Sequence, residues 1–441
     1  MKKTLTYLLA VALIAASFVL PGCSAGNDGA LGRGTAALPQ APDQAPANND
    51  ESQSRGMRYS CYWRGLSGSQ EHYYYSVPGK NPQKIDHTLH IANLTTGESG
   101  ILCKEDGCAH ADDLCQAYID STQNGHFFMV PTNGKLYIVY LGGNNVSDET
   151  LAAKIEERDL DGSNARTLYT FADGETIFGT NHNEHAFDDE NIYFFYNQGV
   201  EAGQALGEAR WLAKFNVNEA AITNLMEVDY TYELFGAYDG TLVINKWTEP
   251  SPEAYADMPS AIAPGELLEY EIFTVSVENG SIRQLEYQYS GRDAFLHKTD
   301  GNLCYILERD TGDLSALNLD SGEMDTLIPA LLSPEHISQY ATIAEIRDNY
   351  LLMASGDNSI EHLYSVNLLT KETNAFGLTV EMPEIGGYQQ PDGPPVRVLA
   401  GNGHNYFVIA GYNNDDVGSV RYALISIEDY WGSSANYIPI N

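Results

Sequence analysis

The sequence predicts an all-β protein folded as a single β-propeller, with seven four-stranded blades expected and six or eight as alternatives. A short strand pattern repeats seven times between residues 57 and 441 of the 441-residue chain. The 29 tyrosines favour half-buried strands. No linker interrupts the repeats, which disfavours the alternative of two β-sandwiches in tandem.

Each repeat has an apolar residue, three further residues, a small polar residue and then Leu, Val or Ile. Turn dipeptides such as Thr96-Gly97 and Ser321-Gly322 usually follow, as they do in β-hairpins. We therefore expect the seven polar residues to occupy equivalent positions in seven blades. These residues are Asn93, Asp159, Asn216, Ser276, Asn318, Asn367 and Ser426.

A second strand precedes each repeat, and further short strands bring each unit to about four. Three of the second strands follow a hairpin signal, at Asn133-Gly134, Asp239-Gly240 and Asp300-Gly301. An extra strand, Arg58 to Trp63, precedes the first unit. We expect this strand to pair with the last blade, because such pairing would close the ring and remove free sheet edges.

Residues 1–22 have the pattern of a lipoprotein signal peptide. Lys2 and Lys3 precede an uncharged apolar run, Leu5 to Leu20. The following Pro21-Gly22-Cys23 resembles a bacterial lipobox, whose cysteine is lipidated and becomes the first residue of the mature chain. Ordinary secretion with an incidental cysteine is the alternative. The expected location is the extracytoplasmic face of the cell membrane, anchored by lipid on Cys23.

Residues 23–56 hold this cysteine and a segment rich in Ala, Pro and Gly. A segment of this composition cannot bury enough apolar surface to fold, so it is predicted to be a flexible tether. As a random coil it would span on the order of 30 Å. The propeller domain is assigned to residues 57–441.

The chain has 60 acidic and 24 basic residues, a formal net charge of −36. A nucleic-acid-binding protein needs a basic surface that displaces counterions, so nucleic acid is excluded as a partner.

The strand Lys135 to Val139, followed by Arg-Asp-Leu-Asp-Gly-Ser-Asn at 158–164, resembles Tol-B-like and low-density-lipoprotein-receptor-like propellers. Propellers of this group occur in many lipoproteins of Gram-positive bacteria. The resemblance spans the whole predicted domain and implies its fold. It implies no chemistry, because blade motifs are shared by proteins of unrelated function.

An insertion at residues 103–115 contains Cys103, Cys108, His110 and Cys115. It is similar to a Cys-x4-Cys-x-His-x4-Cys insertion in lipoproteins of the same propeller group. Three thiolates and one imidazole form a closed tetrahedral site for structural Zn²⁺, which leaves no position for a substrate. Gly107 would allow the tight turn between the first two cysteines.

Disulfides are the competing interpretation of the insertion, because they persist outside the cytoplasm. Cys61 supplies a fourth thiol, so two bridges would be formed and His110 would be incidental. Free thiols are the third alternative. Cys304 lies in a predicted strand and is expected to be a small buried apolar residue.

Three weaker groups are interpreted as structural. Residues 181–185 with Asp188 and Asp189 could ligate a metal, but a polar loop is the preferred interpretation. The oxygens of Asp159, Asp161, Ser163 and Asn164 could hold Ca²⁺, but a hairpin turn explains the same residues. Tyr73 to Tyr75 could stack on sugars, but packing in the core is the preferred interpretation.

The sequence lacks a Gly-x-Ser-x-Gly elbow, a Walker loop and a His-Glu-x-x-His motif. The leading functional prediction is therefore a non-catalytic binding or assembly module, which presents propeller loops to a protein, peptide or glycan. An extracellular enzyme acting on glycan or peptide, with acids and histidines of the funnel as its site, is one alternative. A metal- or redox-responsive sensor built on the Cys/His insertion is another.

Overall fold

A computed structural model of the protein describes residues 57–60, 67–68, 71–79, 85–144, 150–178, 185–198, 210–248, 268–290, 294–333, 340–356, 362–380, 393–412 and 420–440. The predicted signal peptide, Cys23 and the predicted tether lie outside these ranges. No helix among the described residues is long and apolar enough to cross a membrane.

Seven antiparallel sheets of four strands each form a ring, which confirms the predicted seven-bladed β-propeller. Strand β1 (Arg58–Ser60) precedes the blades. Blade 1 contains β2 (Ser67–Gly68), β3 (His72–Pro78), β4 (Asp86–Asn93), and β5 (Ser99–Ile101) with β6 (Tyr118–Asp120). Helix α1 (Ser121–Asn124) leads to blade 2, with β7 (Phe127–Thr132), β8 (Lys135–Tyr140), β11 (Lys154–Asp159) and β12 (Arg166–Thr170). Between β8 and β11, a small separate sheet is formed by β9 (Gly143–Asn144) and β10 (Thr150–Leu151).

Blades 3 to 5 follow the same order. Blade 3 contains β13 (Thr176–Phe178) with β14 (His185–Phe187), β15 (Asn191–Asn197), β16 (Arg210–Asn216) and β17 (Ala221–Val228). Blade 4 contains β18 (Tyr232–Tyr238), β19 (Thr241–Thr248), β20 (Glu269–Ser276) and β21 (Ile282–Ser290). Blade 5 contains β22 (Ala294–Asp300), β23 (Leu303–Glu308), β24 (Leu314–Asn318) and β25 (Met324–Ile328).

Two further blades complete the ring. Blade 6 contains β26 (Tyr340–Arg347), β27 (Tyr350–Gly356), β28 (His362–Asn367) and β29 (Thr373–Ala375). Blade 7 contains β30 (Val398–Gly401), β31 (Asn405–Tyr412), β32 (Val420–Ser426) and β33 (Ile438–Pro439), with helix α2 (Ile427–Trp431) between its last two strands.

The polar residue of every repeat ends the third strand of its blade and lies opposite the first residue of the second strand. In blades 1, 3, 5 and 6 this residue is asparagine, and its side chain accepts hydrogen bonds from backbone N–H groups of the following turn. Asn93 Oδ1, for example, accepts hydrogen bonds from the backbone N–H groups of Thr95 and Thr96, at 2.8 and 2.9 Å. The predicted equivalence of the seven positions is therefore confirmed.

The protein has one apolar core for each pair of neighbouring blades, and so seven cores among its described residues. Successive residues of a strand contribute to different cores, because their side chains point to opposite faces. Phe194 packs between blades 2 and 3, whereas Phe195 packs between blades 3 and 4.

The first strand is the innermost strand of each blade, and several first strands contact those of the neighbouring blades, among them β18 with β22 and β22 with β26. Strand β1 pairs along the inner edge of β14, in blade 3, with Arg58 opposite Phe187. The prediction that the segment from Arg58 to Trp63 pairs with the last blade is therefore wrong for residues 58–60. All four strands of blade 7 come from the C-terminal part of the chain.

The two faces of the ring carry connections of different length. The tight-turn face carries the turns between first and second strands and between third and fourth strands, of two to six residues except at α2. The loop-bearing face carries the connections between second and third strands and between blades. Its longest connections are residues 141–153, 198–209, 249–268 and 376–397.

Candidate metal centre

The Cys/His insertion interrupts the outermost strand of blade 1. Strands β5 and β6 both pair with β4 and are two halves of one edge strand. The backbone N–H of Leu102 donates to the Leu89 carbonyl, and the N–H of Leu89 donates to the Ala117 carbonyl, both at 2.8 Å. The ladder thus holds both ends of the loop formed by residues 103–116 at a single residue of β4.

The loop brings all four predicted ligands together. One ligand atom from each of Cys103, Cys108, His110 and Cys115 lies within 4.8 Å of the others. Nδ1 of His110 is 3.2 Å from Sγ of Cys115. Zn–S bonds of about 2.3 Å place tetrahedral sulfurs about 3.8 Å apart, so closing around an ion would need at most a contraction of about 1 Å. The group can hold a metal ion, and its donor set fits zinc.

Two left-handed residues fold the loop back on itself. Gly107 has a φ of 76° and His110 a φ of 52°. The first value favours glycine, as predicted from the spacing, whereas the second is rare for a side chain that carries a Cβ. Backbone hydrogen bonds from Cys108 to Glu105 and from Cys115 to Asp112 close the adjoining turns, at 3.2 and 3.0 Å.

The loop is docked on blade 2 as well as on its own blade. Lys104 Nζ lies 3.1 Å from Asp161 Oδ2. Arg158, a buried residue of β11, donates to the Gln116 carbonyl oxygen. A Cβ atom at Gly162 would lie 2.7 Å from the Leu102 carbonyl oxygen, so only glycine permits this approach. The insertion therefore spans the junction between the first two blades.

The environment of Cys115 disfavours its thiolate unless a cation is present. Only 3% of Cys115 is exposed. Burial, opposed by the N–H of Ala117 and reinforced by the Cys108 and Cys103 sulfurs, raises the pKa of the Cys115 thiol to about 12. A bound divalent ion would reverse this preference, because metal-bound thiols ionise.

The disulfide alternative has no support among the described residues. Cys103, Cys108, Cys115 and Cys304 are all free. Cys61 lies outside the described residues. Cys304 is fully buried in the core between blades 4 and 5, as predicted for a small apolar residue.

The loop with possible metal ligands before the third unit is described only in part, since residues 181–184 lie outside the described ranges. His185 is fully buried, and its ring stacks on Phe128 with 4.1 Å between centroids. Asp188 accepts hydrogen bonds from the backbone N–H of Asn191 at 2.8 Å and from the Tyr193 hydroxyl at 2.5 Å. His185 begins strand β14, so the prediction of a polar loop is wrong for this residue. Both residues stabilise the blade.

The other weaker groups also have the predicted structural roles. Asp159 pairs with Lys135 at 2.6 Å and accepts a hydrogen bond from Asn164 at 2.6 Å, inside a hairpin turn. Tyr73, Tyr74 and Tyr75 are buried and pack in the cores on either side of blade 1. Within the described ranges, the Cys₃His cluster is the one group of three or more His, Cys, Asp or Glu placed to hold a metal.

One aromatic pair on the loop-bearing face was not singled out from the sequence. Tyr230 is 46% exposed, and its ring meets Trp247 edge-to-face with 5.5 Å between centroids. A high content of tyrosine and tryptophan is expected of strands in general, so the sequence does not indicate which of these residues is exposed. The exposure of Tyr230 becomes evident only in the folded chain.

No protein-family model matches the chain, and no curated protein is similar to it in sequence. Among solved structures it is similar to an oligogalacturonate lyase in complex with manganese, with a TM-score of 0.48 and 10% identity over 85% of this chain and 92% of the other. It is also similar to the β-propeller domain of the Trilobed protease from Pyrococcus furiosus, with a TM-score of 0.46 and 11% identity over 87% and 98%.

An acylaminoacyl peptidase from Pyrococcus horikoshii matches with a TM-score of 0.46 and 11% identity, over 86% of this chain. The match covers 52% of that peptidase, about half of its length. At such low identity and TM-score, these similarities carry no argument about the chemistry of this protein.

Proposed function

We propose that the protein is a surface lipoprotein whose propeller is a non-catalytic module that binds a protein, peptide or glycan through its loop-bearing face. The unequal lengths of the connections on the two faces are the observation that carries this proposal. Binding residues concentrate on loops that a rigid scaffold positions, and seven separate interblade cores supply such a scaffold.

The lipid on Cys23 is the proposed attachment to the extracytoplasmic face of the membrane. It is supported by Lys2, Lys3 and the apolar run before Cys23, together with the resemblance to Tol-B-like lipoproteins. Cys23→Ala should leave the protein in the aqueous phase of a detergent partition, or unprocessed. Unchanged partitioning into detergent would contradict the anchor.

Tyr230 and Trp247 are the proposed aromatic contact on the loop-bearing face. Tyrosine and tryptophan supply large, rigid contact area and are enriched at binding sites. The test is an array of glycans and peptides probed with the wild-type protein and Tyr230→Ala. Leu369→Ala is the matched control, because Leu369 is 67% exposed but lies on the tight-turn face. Signals that survive Tyr230→Ala and vanish with Leu369→Ala would contradict the assignment of the face.

We propose further that the Cys₃His cluster binds one structural Zn²⁺. Most residues of the loop between Cys103 and Cys115 are exposed, so the loop buries little apolar surface. Closed zinc sites can contribute on the order of 10 kcal/mol to local folding, which is ample for a loop of this size.

Elemental analysis of purified protein should give about one zinc per chain, as expected for one closed site. His110→Ala should lose this zinc, whereas Cys304→Ala should keep it, because Cys304 lies in a core far along the chain. Mass spectrometry of the same protein detects any disulfides. Zinc-free protein with two disulfides, one of them through Cys61, would establish the disulfide alternative.

A further inference from the structure

The direction of β1 fixes where the chain enters the propeller. In every blade, the first strand runs from the loop-bearing face to the tight-turn face, since a tight turn follows it. Strand β1 pairs antiparallel to β14, which belongs to the first strand of blade 3. It therefore runs the opposite way, with Arg58 at the tight-turn face and Ser60 towards the loop-bearing face.

Burial of the preceding residue secures this end of β1. Met57 is fully buried in the core between blades 3 and 4, with Ala186 on one side and Leu234 and Leu242 on the other. Met57 directly precedes Arg58, which lies opposite Phe187 at the end of β14. A tight turn follows Phe187, and Met57 is thus held near the tight-turn face.

From this geometry we infer that the chain before Met57 leaves the propeller at the tight-turn face. A lipid anchor on Cys23 then attaches the domain from its tight-turn face, so that this face is on average nearer to the membrane than the loop-bearing face. The inference rests on the proposed anchor. It deepens the proposed function, because it leaves the proposed binding surface accessible to partners beyond the membrane.

The charge of the tight-turn face fits a domain held off the lipid rather than resting on it. Exposed carboxylates occupy turns of five of the seven blades on this face. They include Glu98, Asp189, Glu219, Asp239, Glu278, Asp320 and Glu372. Repulsion from an anionic bilayer decays over about 8 Å at physiological salt. A tether spanning on the order of 30 Å is longer than this distance.

Two exposed positions in blade 5 allow a matched test. Thr311 lies between β23 and β24, on the loop-bearing face, and Ser321 lies between β24 and β25, on the tight-turn face. The five-residue strand β24 separates them by roughly 20 Å along the axis. A fluorescent amino acid is introduced at either position in the full lipidated chain. The protein is then reconstituted into anionic vesicles that carry an acceptor-labelled lipid.

We expect energy transfer to the lipid to be more efficient from position 321 than from position 311. Equal or reversed efficiencies in vesicle-bound protein would overturn the orientation while leaving the anchor intact. Protein that stays in the supernatant, with no transfer from either position, would instead overturn the anchor on which the inference rests.

A second measurement tests the route of β1 without any lipid. In the Cys23→Ala chain, the backbone amides of residues 58–60 that face β14 should exchange hydrogen slowly, at rates comparable to those of β14. Exchange as fast as that of an unpaired segment would show that β1 is not held on β14, and the inferred exit from the tight-turn face would fail.

Discussion

The side-chain amide of Asn402, in blade 7, donates a hydrogen bond of 3.0 Å to the carbonyl oxygen of Leu94, in blade 1. No described strand is exchanged between these two blades. The ring is instead closed by such polar contacts and by an apolar core that includes Tyr73 and Phe407.

Asn402→Ala should therefore destabilise the protein by about 1–2 kcal/mol, because it removes the interblade bond together with the hydrogen bonds that Asn402 Oδ1 accepts from the N–H groups of His404 and Asn405. Urea unfolding measures the change. Gln284→Ala is the control, since this exposed amide donates to Glu271 within its own blade, and it should cost less than about 0.5 kcal/mol. Equal losses for both variants would argue against a special role for Asn402 in closure.

The fourth residue after the repeated polar position is left-handed in several blades. Gly322 has a φ of 82° in blade 5, and Lys371 has a φ of 63° at the equivalent place in blade 6. Because only glycine adopts this conformation without strain, Lys371→Gly should stabilise the protein by about 0.5–1 kcal/mol. Gly322→Ala should destabilise it by about 1 kcal/mol through the strain of a left-handed backbone. No steric clash adds to this strain, because the new Cβ would meet no atom within 4 Å. Thermal unfolding of both variants measures these changes in stability. If Gly322→Ala is as stable as the wild type, the turns of blades 5 and 6 are not equivalent.

Burial raises the pKa of the Glu233 carboxyl, on β18. The folded chain then holds this proton to higher pH than the unfolded chain does. Stability therefore falls as pH rises above the unfolded value of about 4.3. Glu233→Gln should be more stable than the wild type at pH 7, and the difference should vanish below the unfolded value of about 4.3. A constant difference across this range, measured by urea unfolding, would exclude titration as its cause.

Met57→Ala tests the packing of the N-terminal segment on blades 3 and 4. Truncating a fully buried methionine should cost about 2–5 kcal/mol, whereas Met57→Leu should cost less than about 1.5 kcal/mol. Chemical unfolding of both variants gives the comparison. If Met57→Ala unfolds like the wild type, the segment contributes nothing to this core.

Sequence periodicity predicts the blades well because each blade is a local unit. Positions such as Asn93 and Asn318 are defined by a hairpin turn a few residues away, and consecutive residues determine the type of turn. The pairing of Arg58 with Phe187 instead joins residues that are far apart in the sequence. Any first strand offers a similar edge, so no local pattern indicates that β1 pairs with β14 or that Met57 is buried between blades 3 and 4.

For the metal centre too, the sequence predicts the local features but not the contacts between blades. The composition of residues 103–115 was sufficient to nominate Cys103, Cys108, His110 and Cys115 as one group, and the structure brings these four together. The sequence did not indicate that the loop interrupts an edge strand, or that it packs on Gly162 of the next blade. Those contacts depend on how two blades are placed relative to each other, and a local sequence pattern carries no information about this placement.

X-ray absorption at the zinc edge of the purified protein tests the metal centre most directly. We predict three sulfur neighbours at about 2.3 Å and one nitrogen neighbour at about 2.0–2.1 Å, with the nitrogen lost in His110→Ala. A shell of oxygen and nitrogen alone would contradict the account. So would protein without zinc in which Cys103, Cys108 and Cys115 are oxidised to disulfides.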